Sequence, residues 1–117
     1  MDKTKFDEII LTSLKEMGLH YREDLSEKLY QYMNILIEEN RKYNLTAIDK
    51  EEEIISKHFL DALVYFTKCN FKMGSKVIDV GTGAGFPGLV FKLYRTDVEV
   101  LLIDSLKKRI KFLNRLI

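Results

Sequence analysis

Gly81, Gly83, Gly85 and Gly88 fall within eight residues, directly behind the short apolar run Lys76 to Val80. Glycine has no Cβ, so a turn rich in it takes left-handed backbone angles and lets another molecule approach the chain closely. Between a strand and a helix, such a turn also lies where free backbone N–H groups gather, which suits a nucleotide-like ligand. Two spacings overlap here. One is Gly81-Thr-Gly83-Ala-Gly85; the other, Gly83-Ala-Gly85-Phe-Pro-Gly88, meets the G-x-G-x-x-G pattern of dinucleotide sites. The pattern alone does not choose between them.

Two acids narrow the chemistry. Asp79 stands two residues ahead of Gly81, where a carboxylate would repel a pyrophosphate but suits a ligand carrying an ammonium or sulfonium cation. S-adenosylmethionine carries both. Asp104 closes a second apolar run, Val98 to Ile103, and is placed to accept hydrogen bonds from two ribose hydroxyls, a role open to an acid there with either cofactor. Each acid also has a structural alternative as a helix cap.

The remaining candidates are sparser. His58 and Asp61, three apart on a predicted helix, share a face; they either orient the glycine loop or an RNA, or form an ordinary surface pair. Lys107, Lys108, Arg109, Lys111 and Arg115 crowd one predicted helix, as a phosphate-binding surface or as a solvated face. His20, His58 and the single Cys69 offer no metal-ligand cluster and no internal disulfide. No nucleophile or acid–base constellation stands out, so no catalytic residue is named.

These residues need elements to hold them. Phe6, Ile9, Ile10, Leu14 and Met17 share a helical face that Gly18 can end. A second helix is predicted from a capping box at Asp24 through Leu25, Leu29, Met33, Leu36 and Ile37 toward Asn40, with Tyr30 and Tyr32 as packing residues. A third starts around Asp49 and buries Ile54, Ile55, Phe59 and Leu63. Lys76 to Val80 and Val98 to Ile103 then read as strands, with Phe86 to Tyr94 as a crossover helix, making a parallel βαβ unit. Ser105 is placed to cap a last helix carrying Leu106, Ile110, Leu113 and Ile117 on its apolar side. The expected organisation is α/β: a helical segment, residues 1–70, followed by the start of a Rossmann-like domain, residues 71–117.

At 117 residues the chain has room for one small domain. It shows no secretory leader pattern and no apolar run of membrane-spanning length, and a reducing cytoplasmic setting is expected. Its net charge of +1 hides an asymmetry, −5 for residues 1–61 and +6 for 62–117, so the second half is the one that would face a polyanion.

Asn44 to Ile48 ("NLTAI"), Lys57 to Leu63 ("KHFLDAL"), "VIDVGTGAGFPG" and "LLIDSLKKRIKFL" together resemble the S-adenosylmethionine-dependent 16S ribosomal RNA methyltransferase G family, also called glucose-inhibited division protein B. The resemblance covers most of the chain. It implies methyl transfer to the ring nitrogen at position seven of a guanine in 16S ribosomal RNA or the small ribosomal subunit. It further implies that Gly81 and Phe86 contact the cofactor, that Gly83 and Gly85 shape the loop, and that Asp79 lies near the methionine end and Asp104 at the ribose. Family members are roughly twice as long and carry a seven-stranded sheet, of which this sequence supplies two strands. A truncated chain, inactive alone and stabilised by self-association, is therefore expected, since two strands make a marginal sheet. Three alternatives remain: a methyltransferase acting on a small molecule, a nicotinamide-binding module, and a non-catalytic helical interaction fragment.

Overall fold

Asp2 accepts a hydrogen bond from the Lys5 N–H at 2.8 Å and so starts helix α1, Lys3–Met17. Gly18, left-handed at φ 72°, ends it. The computed structural model describes residues 1–47 and 50–117. Helix α1 buries Phe6, Ile10 and Leu14 on one stripe, against helix α2, Glu23–Tyr43. The predicted capping box at Asp24 is not used: Arg22 is the cap residue, and no side chain caps the helix. Glu23 and Asp24 in the first turn complement the helix dipole instead. Helix α2 also runs past Asn40 to Tyr43, where Asn44 at φ 52° supplies the left-handed stop.

A helical run follows in three parts: α3, Glu51–Glu53; a π-helical segment, Ile54–Leu60; and α4, Asp61–Lys68. The start predicted at Asp49 lies outside the described residues. Ile54, Ile55, Phe59 and Leu63 are buried as expected.

Strand β1, Lys76–Val80, pairs in parallel with β2, Glu99–Ile103, so that Asp79 lies opposite Leu102 and Val80 opposite Ile103. Helix α5, Gly88–Tyr94, links them. It starts two residues later than predicted because residues 83–87 are spent in the turn. The fold is thus mixed α/β, with helices followed by a βαβ unit. Sheet residues alternate: Val77, Asp79, Val100 and Leu102 lie on the more covered face, while Ile78, Val80, Leu101 and Ile103 are exposed on the other.

Helix α6, Lys107–Leu116, corrects the prediction twice. Ser105 does not cap it; Asp104 Oδ1 accepts from the Leu106 N–H at 3.0 Å. Its buried residues are Phe112 and Leu113, whereas Leu106, Ile110 and Ile117 are exposed. Periodicity finds an apolar stripe, but the neighbour decides which flank is covered, and α6 packs chiefly on α2.

One hydrophobic cluster runs from Phe6 and Leu29 through Met33, Phe59 and Leu63 to Val90, Phe91 and Phe112, so the glycine turn is mounted on the same core as the helices. Arg22 reinforces the junction, donating at 2.7 Å to the carbonyls of both Leu93 and Tyr94 at the end of α5. Among the described residues no helix is long and apolar enough to cross a membrane.

Leu29 is fully buried in this cluster. Leu29→Ala should lower unfolding stability by about 3 kcal/mol through lost burial and a residual cavity. Met73, 89% exposed, should tolerate alanine within about 0.5 kcal/mol. Urea denaturation of both variants checks the contrast.

Candidate functional site

The glycine turn begins pinned to the neighbouring strand. The N–H groups of Gly81 and Thr82 both donate to the Ile103 carbonyl, at 2.8 and 3.0 Å. Gly81, Gly83 and Gly85 then take φ of 71°, 60° and 101°, angles that any residue with a Cβ adopts only with strain. The turn closes onto α5 through Asp79, whose Oδ2 accepts from Thr82 Oγ1 at 2.7 Å and from the Gly88 N–H at 2.9 Å. Asp79 therefore bridges the two ends of the turn.

Asp104 holds the middle. Its Oδ2 accepts from the Gly83 N–H at 2.8 Å, its Oδ1 accepts from Leu106, and Arg109 Nη1 lies 3.5 Å away. The Leu106 and Gly83 N–H donors, with the Arg109 charge, hold this carboxyl below the usual carboxylate range. The side chain of Asp104 is only 2% exposed. Beside it the Arg109 Nε is buried without a hydrogen-bond partner, a donor left for an oxygen from elsewhere.

The glycines divide by what surrounds them. A Cβ added to Gly81 or Gly83 would meet nothing within 4 Å, whereas at Gly85 it would lie 2.5 Å from the Tyr32 hydroxyl. At Gly88 it would lie 2.6 Å from Leu102 Cδ2 and 2.9 Å from Asp79 Cβ. Gly81 and Gly83 thus leave an open crest, while Gly85 and Gly88 let the turn and α5 sit close against α2 and the sheet.

Phe86, at the far side of the crest, is half-buried. Its ring is parallel to that of His58 with centroids 4.1 Å apart, and to that of Tyr32 at 5.2 Å. The predicted candidates Asp79, Gly81, Gly83, Gly85, Phe86 and Asp104 are therefore brought together in and around one turn, and His58 joins them through the Phe86 ring. Asp61 does not; it is exposed on α4 and acts on His58 only through its charge. Tyr32 is the member that sequence reasoning missed as part of the site. Its buried position on α2 read as packing, and only the need of a buried hydroxyl for a partner pointed further. Among the described residues no three acids, histidines or cysteines are grouped to hold a metal.

Chemically the arrangement is a bare backbone crest flanked by two carboxylates. A pyrophosphate in the dinucleotide manner would need the first N–H of α5, and the Asp79 carboxylate already takes it.

A family model described as rRNA small subunit methyltransferase G matches residues 25–117. Among curated proteins, the ribosomal RNA small subunit methyltransferase G of Clostridium beijerinckii is 49% identical over 113 residues, covering 97% of this chain and 47% of the relative. That of Clostridium perfringens is 46% identical with the same coverage. That of Mesoplasma florum is 49% identical over 98 residues, covering 84% and 41%. The chain spans about half the length of the curated relatives it matches.

Two outcomes follow from the geometry. Gly85→Ala combines left-handed strain with a clash and should cost about 3 kcal/mol, against about 1 kcal/mol for Gly83→Ala, where the strain acts alone; thermal denaturation distinguishes them. Burial lowers the His58 pKa, with Asp61 opposing. The unfolded chain therefore binds the proton more readily, and the stability that neutral His58 contributes at pH 7 is lost as pH falls below about 6.5. Melting scans should show a fall toward pH 5 that is shallower in His58→Asn.

Proposed function

The chain belongs to the rRNA small subunit methyltransferase G family, and from that membership we propose that its glycine turn holds S-adenosylmethionine for methylation of a guanine, at ring nitrogen seven, in 16S ribosomal RNA. The observation that carries the reading is the open crest at Gly81 and Gly83, with Asp79 occupying the N–H a pyrophosphate would need.

The residues present fit such a ligand. Gly81 and Phe86 would contact it, Gly83 and Gly85 would set the shape of the crest, and Asp79 would face the cationic methionine end. Asp104 would serve the ribose. Its Oδ1 holds the Leu106 N–H and retains a further lone pair, while Oδ2 holds the Gly83 N–H and faces Arg109, so admitting a hydroxyl to this buried carboxyl would require the Gly83 turn or the Arg109 side chain to shift. The unpartnered Arg109 Nε is a second donor there.

When bound, the cofactor supplies an activated methyl group. The guanine nitrogen has a lone pair and no proton, so the transfer depends on alignment and exclusion of water more than on a general base. What this chain contributes is a fixed shelf, with the Phe86 ring as one wall. Methyl transfer by these 117 residues alone is expected to be undetectable.

The RNA-facing side would be the basic flank of α6. Arg115 is paired with Glu38 and Glu39, while Lys107 and Lys111 line a recess with Tyr43, which is 49% exposed. A cationic rim around an exposed aromatic suits a sugar–phosphate chain with an unstacked base, and favours RNA over a small substrate.

Titration calorimetry of the chain should show S-adenosylmethionine binding and no heat with NAD; the reverse order would overturn the cofactor reading. In filter binding to a 16S ribosomal RNA fragment, Lys107→Ala with Lys111→Ala should weaken affinity and lower the slope of log K against log salt by roughly 1 to 2, as for one or two lost phosphate contacts. An unchanged slope would remove α6 from the RNA surface.

A further inference from the structure

Two separate stretches of the sequence meet at the ring of Phe86, and a third backs one of them. From α2, Tyr32 lies parallel to it and donates its hydroxyl to the Ala84 carbonyl inside the turn. Burial, with the Asp79 charge, pushes the Tyr32 phenol well above its usual pKa, so it stays a donor. Tyr32 is itself fixed by Phe59 at 5.3 Å and Phe112 at 6.4 Å between ring centroids. From the π-helical segment, His58 stacks on Phe86 at 4.1 Å and 2°. The wider π turn puts fewer degrees between successive side chains than an α turn does, and both His58 and the next residue, Phe59, reach Phe86. From the loop after α2, Thr46 Oγ1 lies 3.4 Å from His58 Nε2, and the Thr46 N–H donates to Asn40 Oδ1 at 2.8 Å.

A turn with three left-handed glycines is entropically expensive to fix. Its hydrogen bonds secure the two ends, one side of Gly83, and the N–H groups of Gly85 and Phe86, which both donate to the Thr82 carbonyl. The Ala84 carbonyl and the Phe86 ring are held in addition from the helical side. We propose that Tyr32 and His58 are positioning residues that clamp Phe86 between helical elements and thereby fix the glycine turn in the shape that receives its ligand. This rests on the reading of the turn as the S-adenosylmethionine site. Neither residue touches the reacting atoms; each acts through Phe86 and Ala84. At neutral pH the lowered pKa of His58 leaves it a flat, uncharged ring suited to stacking.

The test uses the full chain, with amide hydrogen exchange and S-adenosylmethionine titration on the same variants. The N–H groups of Gly85 and Phe86 donate to Thr82, and that of Leu89 to Gly85, so they report turn closure directly. His58→Ala, which removes an aromatic pair, and Tyr32→Phe, which keeps the ring and removes its buried hydrogen bond to Ala84, should each raise exchange at these three amides roughly tenfold, the upper end of what either interaction contributes, with α2 amides at Leu29 and Met33 unchanged. S-adenosylmethionine affinity should fall by a similar factor. His58→Phe, which restores a flat ring, should recover both. Unaltered turn exchange in His58→Ala would overturn the clamp, as would an equal rise across α2, which would mark a merely structural role. If the parent chain takes up no S-adenosylmethionine while turn exchange still responds as expected, the clamp stands and the cofactor reading fails.

Discussion

The geometry of the site depends on a single carboxylate oxygen. Asp79 Oδ2 accepts from Thr82 at the start of the glycine turn and from Gly88 at its end, so one atom converts a flexible stretch into a closed loop. The contact is possible only because Gly88 has no side chain: a Cβ there would stand 2.9 Å from that same oxygen. With Asp79 on β1 and Gly88 opening α5, the bond also fixes how α5 lies on the sheet. The far end of α5 is gripped by Arg22, whose guanidinium supplies donors to carbonyls that a helix end leaves unpaired. The βαβ unit is thus tied to the helices through backbone groups as well as apolar burial.

Both glycine spacings describe something real. Gly81 and Gly83 leave the crest bare, as expected of a turn against which a ligand lies. Gly85 and Gly88 serve close approach, Gly88 filling the helix–strand packing role that the last glycine of G-x-G-x-x-G has in dinucleotide sites. Beside it the acid from the strand holds the first N–H of α5, the group that a pyrophosphate in a dinucleotide site would need.

Much of this was legible from residue types. The strand limits at Lys76 and Val80, the parallel pairing, the stop at Gly18 and the burial of Ile54, Ile55, Phe59 and Leu63 follow from periodicity and local backbone preference, which act over a few residues. The failures are long-range. Arg22 spends its donors on α5, 71 and 72 residues away, and the first turn of α2 does without the capping box that Asp24 offered. Helix α6 turns Phe112 rather than Ile110 inward because α2 lies on that flank. That Asp104 ends the second strand was legible, but that its oxygens hold the Gly83 and Leu106 N–H groups was not. Tyr32 was invisible as a site residue because its partner, the Ala84 carbonyl, is 52 residues distant.

Placing a polar, glycine-rich turn against an aromatic cluster resolves a conflict between access and rigidity. A crest open enough for a ligand cannot be stiffened by its own side chains, since any Cβ would fill it or strain it. The Asp79 and Asp104 carboxylates supply part of the stiffness from its flanks, and the rest comes from beneath, from rings. Tyr32, Phe59, Phe86 and His58 form a continuous aromatic layer under and beside the turn. Rings suit the task because they are rigid bodies with few torsions, so holding them costs little rotamer entropy for the area they cover. The helices before the sheet are therefore the support on which the glycine turn keeps its shape, and a βαβ unit taken without them would lose the order that its bare crest requires.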